Sequence, residues 1–400
     1  MLRRFSSATS LSSFSSFLKV TASTSSDQES DSKSTHSNLA DALESSLLPQ
    51  AGEPRAPQPD RGGELVEALE TLQTVHRAAY SQRLALIASV LFLLTEDPDT
   101  RNAFREHGGF LSAVSALASL DESVAAGGGD DADSVETRAE LRYQLASVVF
   151  NVLAVASQAH DLNRSTFAES VGFDAVGEAI KLSGLMRDQP GADARVPEQP
   201  TPAERLLSIL YSFLTADFSS PPLFTQLRRH LAEPPAEPEP AADDGAPAAA
   251  PPTREERITA YLRDRSAALD GPDREVAENA EIVPLILELE ASLGDDQPEL
   301  RFAVVAALLQ LATSSRRSQV ALNTAGVVGI ALERLHPATT PDAPSDGPAA
   351  RAVLRQLTEN LLEMGAGTKE TRKLFQSVVE GWESHADSQE RLNEEMLALM

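Results

Sequence analysis

The chain is 400 residues long and carries 60 acidic against 34 basic side chains, a formal charge of -26. Such a field repels a phosphate backbone instead of releasing its counterions and disfavours adsorption to an anionic lipid leaflet. Cysteine is absent and aromatics make up 5% against 42% hydrophobic residues, which excludes disulfide scaffolds, thiolate zinc sites and cysteine nucleophiles, and suits packed Leu/Ala helices better than a sandwich or barrel.

Residues 1–26 carry Arg3, Arg4 and Lys19, many serines and no acid. Two readings fit: a mitochondrial transit peptide, or a disordered Ser-rich tail continued by the equally polar stretch from Asp27. No apolar periodicity follows up to residue 60, and Pro49 to Pro59 is rich in proline. Residues 1–60 are therefore expected to be disordered, with order starting near Glu64.

From there Leu65, Leu69, Leu72, Val75 and Ala79 recur at steps of three and four, which lines one face of a helix. The next segment, QRLALIASVLFLLTE, is apolar around most of its circumference and is expected to be an inner helix with Leu91 buried among its neighbours. Its apolar core, Leu84 to Leu94, is interrupted by Ser89 and falls short of the roughly 20 residues a spanning helix needs. Asp97-Pro98 then predicts the N-cap and first turn of a short helix, and His107-Gly108-Gly109 its end. FLSAVSALASL opens a medium helix through Phe110, Val114 and Leu117.

This order of short helix, glycine turn, medium helix and long buried helix recurs. LRYQLASVVFNVLAVAS closes the first unit; NRSTFAESVGF, FDAVGEAIKL and ERLLSILYSFLTA make the second. The third reads REVAENAEIVPLILELEASL and LRFAVVAALLQLAT, the fourth RRSQVALNTAGVVGIALERL and RAVLRQLTENLLEMG, and TKETRKLFQSVV begins a fifth. A period of about 40 residues suits two- or three-helix solenoid repeats. Asp121 to Glu136, Gly184 to Pro202 and Pro337 to Pro348 fall between the medium and long helices of their units, where loops can leave a stack without disturbing its core. The Pro/Ala/Glu-rich stretch at 232–253 reads as a linker between a first sub-array, 64–231, and a second, 254–400. Just beyond it, Ile258, Tyr261, Leu262, Arg265 and Leu269 predict an extra helix.

The register of these units resembles the armadillo repeat from residue 64 to about 380, and the expected fold is all-α: an armadillo/HEAT-like right-handed superhelix of about five repeats. Val75 to Leu120 further resembles the N-terminal armadillo-like region of the large BEACH-domain proteins, the beige and Alfy-like family. That resemblance implies a scaffold in vesicle trafficking, vacuolar or lysosomal sorting, or autophagy, with other proteins as partners and membrane association at most indirect. It also implies a cytoplasmic location, at most peripheral to endomembranes; the transit-peptide reading implies a mitochondrial one. BEACH and WD40 segments have no counterpart here, and the single Trp382 sits in GWESH. Peptide-binding armadillo proteins set a Trp and an Asn four residues apart on successive long helices. The corresponding positions hold Ala306 with Gln310 and Gln356 with Asn360, so that ladder is absent.

No catalytic, cofactor-binding or metal-ligating residue emerges, and no cofactor is expected. His36, His76, His107, His160, His230, His336 and His385 never share a helical face at ligand spacing. His107 is expected to end a helix favourably. Gly127 to Gly129 run into Asp130 and Asp131, which would repel a phosphate, and the pairs Asp243/Asp244 and Asp295/Asp296 sit in expected loops without a dry pocket. Arg228, Arg229 and His230 form the compact basic spot, read either as a helix end or as an anchor for an acidic partner.

Overall fold

Leu/Ala-rich segments with a helical period can hide their apolar faces only against one another, and they do so in rows. The computed structural model describes residues 61–74, 80–120, 135–186, 200–232, 252–268, 275–293, 297–335, 347–363 and 372. The expectations for residues 1–60, the glycine run, the two Asp pairs, Trp382 and the fifth unit lie outside them. Among the described residues there are fifteen α-helices and no strand, all within the unit Asp60–Met400. They are α1 (Arg61–Thr74), α2 (Tyr80–Glu96), α3 (Thr100–Glu106), α4 (Gly109–Ala118), α5 (Val135–Ser157), α6 (Asp161–Ser170), α7 (Gly172–Ser183) and α8 (Pro202–Thr215). After these come α9 (Leu223–Ala232), α10 (Arg254–Ala268), a 3-10 turn (Ala280–Ile282), α11 (Val283–Ala291), α12 (Pro298–Ser314), α13 (Arg316–Thr324), α14 (Val327–Leu335) and α15 (Pro348–Leu362).

The fold is an all-α solenoid. Long helices stack as α2, α5 and α8 and then as α10, α12 and α15, while medium helices form the row α4, α7, α11, α14. The first two units are closed by the same polar device. The first turn of α3 buries Thr100, whose hydroxyl donates to the Leu93 carbonyl seven residues back, and α6 buries Asn163, whose amide reaches the Ala156 carbonyl, also seven back. Arg101 and Arg164 repeat the reach one position later, to Leu94 and Ser157. Carbonyls left open at a helix end thus find donors on the next helix. Gly108 and Gly326 take φ of 72° and 79° at the turn into the medium helix, a region that residues with a Cβ avoid.

Among its described residues the third unit has no short α-helix. Its segment 275–282 instead docks on α8: Glu278 N–H donates to the Leu214 carbonyl at 2.9 Å and the Asn279 amide to that of Phe213 at 2.7 Å. Asn279 does for α8 what Asn163 does for α5. The chain runs through α9 and α10 between the two partners, so the extra helix at 254–268 enters as an additional layer. It packs Ile258 and Leu262 toward α9 and α12.

Two expectations fail in the first unit. The short helix begins at Thr100, not at Asp97-Pro98, because Asp97 turns its carboxylate onto the Asp99 N–H and its carbonyl onto Thr100, forming a separate turn first. The inner-helix reading of α2 also fails in part: Leu91 is only half-buried and Phe92 is 48% exposed. Among the described helices α2 leans on α1, α3 and α5, which leaves one side open. The more enclosed helix is α12, between α10, α13 and α15, where Leu300 to Leu308 are buried without a break.

Candidate functional site

A solenoid offers partners the faces its rows leave uncovered, and here each long helix keeps one such stripe. On α2 it runs Ser81, Ala85, Ala88, Phe92; on α5 it runs Glu140, Gln144, Ser147, Asn151, Val155, at helical spacing. On α8 it is reduced to Arg205 and Ser212, on α12 to Leu309, Gln310 and Thr313, and on α15 it comprises Ala352, Gln356 and Asn360. Near the C-terminal ends of the long helices the stripe is uncharged and mixed, with amides and hydroxyls around Phe92. Ala306 is buried and cannot meet a partner, Gln356 is exposed, and the Asn360 amide donates to the Gln356 carbonyl of its own helix at 2.8 Å. Neither pair makes the Trp/Asn arrangement, nor does Ala88 with Phe92 on α2 or Asn151 with Val155 on α5.

Charge is handled at the edges of the rows. Arg205 pairs with Glu140 and lies over the Tyr143 ring, its guanidinium carbon 5.0 Å from the centroid. Lys181 bridges Glu178 and Glu288, joining α7 to α11, and its pKa is raised by those hydrogen bonds and charges. Deep in the stack, Glu290 is fully buried between Arg301 and Arg334, with Oε1 accepting from Arg301 Nε at 3.4 Å and from Arg334 Nη2 at 3.2 Å. Glu275 takes two bonds from Arg265, at 2.9 and 3.1 Å, and one from the buried Tyr211 hydroxyl at 3.0 Å. These carboxylates are saturated by cations and hold helices together; no water-exposed acid/base pair is formed by them.

Three of the seven histidines are described. His107 ends α3 through its backbone N–H, which donates to the Ala103 carbonyl; its ring is exposed and makes no hydrogen bond to that helix. His160, which the sequence reading passed over, is the structural one. Its Nδ1 accepts from the Asn163 N–H at 3.2 Å, capping α6, and its Nε2 meets Asn102 Oδ1 at 3.1 Å. The signal was available, since His160 stands just before Asp161 at the start of a helical run. His230 lies at the end of α9, stacked on Tyr261 with ring centroids 5.1 Å apart. Among the described residues no cluster of three or more His, Asp or Glu could hold a metal ion, and no helix is long and apolar enough to cross a membrane.

A family model described as armadillo-like repeats matches residues 63–367, which takes in every unit from α1 to α15. No curated protein and no solved structure matches the chain.

Proposed function

The chain belongs to the armadillo-like repeat family, and on that premise we propose that it is a non-enzymatic scaffold that holds other proteins along the open stripes of its long helices. The observation that carries this reading is the two stacks of long helices whose half-exposed faces are uncharged toward their C-terminal ends, at Phe92 and Asn151 in the first and at Gln310 and Asn360 in the second. Amides there can pair with an extended backbone, and the exposed Phe92 ring supplies apolar area. Placing a photo-crosslinking residue at Phe92 or Asn151 in the cell of origin, with Leu94 as a buried control, tests it. Discrete cross-linked proteins from the stripe positions and none from Leu94 are expected; equal, diffuse labelling at all three would overturn it.

More narrowly, we read the chain as the N-terminal part of a BEACH-type protein acting in vesicle trafficking, vacuolar or lysosomal sorting, or autophagy, at a cytoplasmic site peripheral to endomembranes. What supports this is the resemblance of Val75 to Leu120, the stretch that contains α2, α3 and α4. Sequencing the transcript beyond the Met400 codon decides it: BEACH and WD40 segments in frame support the reading, and a stop codon there removes it. A second reading, a mitochondrial helical protein with a cleaved presequence, rests on Arg3, Arg4 and Lys19 among serines without acids. A C-terminally tagged chain found in mitochondria with a shortened N-terminus would favour it over the first.

A further inference from the structure

We propose that the junction of α9 and α10 is an anchor for a carboxylate side chain of an acidic peptide segment on a partner protein. The inference rests on the scaffold reading and adds the partner's chemistry. Leu223, Phe224 and Leu227 turn the inner face of α9 into the core, which places Gln226, Arg229 and His230, three and four residues apart, together on its rim. On α10, Ile258 and Leu262 are buried, which brings Arg257 and Tyr261 to the facing rim. Between them lies a shallow, open depression lined by Gln226, Arg229, His230 and Tyr261.

The hydrogen bonds already made there leave donors over. Tyr261 spends its hydroxyl proton on Gln226 Oε1 at 3.2 Å, so the Gln226 amide presents its N–H groups outward. The helix-end reading of the basic spot would require Arg229 or His230 to cover the last carbonyls of α9. Instead Arg257, from α10, donates to the His230 carbonyl at 2.8 Å, and Arg228 is drawn away to Glu204. Arg229 and His230 are exposed and form no ion pair among the described residues. On the facing helix Glu256 is engaged in the capping box with Thr253. A guanidinium, an imidazole and an amide therefore converge in a depression with no carboxylate in its lining, which suits an oxyanion. A single exposed guanidinium beside an imidazole matches a singly charged carboxylate better than a phosphate, whose sites gather several arginines. The overall charge of -26 repels acidic chains at long range, but screening confines that repulsion to about 8 Å at physiological salt, so the local donors decide the contact.

Fluorescence anisotropy of the full chain with a labelled peptide alternating Glu with Gly and Pro, beside its Gln isostere and a phosphoserine version, tests the assignment. The Glu peptide is expected to bind, the Gln peptide not, and Arg229→Gln/His230→Gln should weaken binding about tenfold, the loss of a charge-assisted contact. Gln226→Glu should abolish it, and Arg263→Gln, an exposed arginine elsewhere on α10, should leave it unchanged. Equal loss in the Arg263 variant, equal binding of the Gln peptide, or tighter binding of the phosphoserine peptide would each overturn the proposal. So would co-sedimentation with anionic phospholipid vesicles that is lost in the Arg229/His230 variant when Glu-peptide binding is not. Circular dichroism of each variant should match the parent, since the substituted side chains lie on the rim. A chain that cross-links partners from Phe92 yet ignores the Glu peptide sinks the anchor and leaves the scaffold standing; the reverse result does the opposite.

Discussion

The two ends of the solenoid keep the same rows of helices with different chemistry. From α2 to α8 the long helices are registered on the medium ones through neutral acceptors. Tyr80 and Arg83 donate to the carbonyls of Leu120, Ser119 and Ala116, and one unit later Arg142 and Tyr143 donate to those of Ser183 and Leu185. The same end is threaded by edge-to-face aromatics: Phe104 meets Phe110, Phe110 meets Phe167, Phe167 meets Phe173, and Phe213 closes the series onto Phe150, at centroid distances of 5.1 to 5.9 Å. From α11 to α15 the packing is largely aliphatic, and the corresponding cross-links run to a buried carboxylate, Glu290, held by Arg301 and Arg334. A repeat fold thus fixes where a cross-brace must lie but not what it is made of. A carbonyl at a helix end needs only a donor, whereas a buried carboxylate needs full cationic compensation.

The largest expected effect breaks the charged brace. Glu290→Ala strands two arginines in the core and should cost about 3–5 kcal/mol in urea unfolding, since a buried charge loses its partner. Replacing Glu290, Arg301 and Arg334 together by Met should restore most of that loss; a triple variant as unstable as the single one would show that the brace contributes net stability by itself. Next, Leu94→Ala, fully buried in the last turn of α2, should cost about 2–5 kcal/mol, and half-buried Leu91→Ala only about 1 kcal/mol. Equal losses would mean that α2 is enclosed like α12, and the two ends would then be packed alike.

A smaller effect tests the aromatic thread. A methyl group at Gly109 would sit on the Phe104 ring, so Gly109→Ala should cost about 1–3 kcal/mol by forcing that ring off Phe110. Near-ultraviolet dichroism should change with it, and an unchanged spectrum at parental stability would show that the thread yields freely. The smallest effect appears only in alkali. Burial, and then the neighbouring Glu275 carboxylate, hold the Tyr211 pKa well above its usual 10.0. The folded chain therefore keeps a proton that the unfolded chain releases above pH 10. This contribution is complete below that pH and fades as pH rises toward the folded value, by up to about 1.4 kcal/mol per pH unit. Tyr211→Phe should flatten that alkaline slope; a slope unchanged in the variant would assign it to another group.

Much of the fold was legible because the cues are local. Helical periods and the repeated unit order mark α1 to α8 and α10 to α15, and Gly108 marks a turn that needs positive φ. The interaction surface was less so. His160 shows only its local cap of Asn163 in the sequence, because its second partner, Asn102, lies on another short helix, and the basic spot at Arg228 to His230 stayed ambiguous because its decisive neighbour, Arg257, is on another helix. Apolar content misled at Leu91 because it reports what a segment could bury and not how many neighbours arrive to cover it.

The sequence alone determined the all-helical class and the order of the units, since periodicity, capping and turn chemistry act within a few residues. Only the tertiary structure decided that Asn279 closes α8 across an intervening pair of helices, that α12 is more enclosed than α2, and that Glu290 is buried between Arg301 and Arg334. Each of these depends on which surfaces meet at long sequence separation, where the free energy of a contact belongs to both partners and is written in neither segment alone.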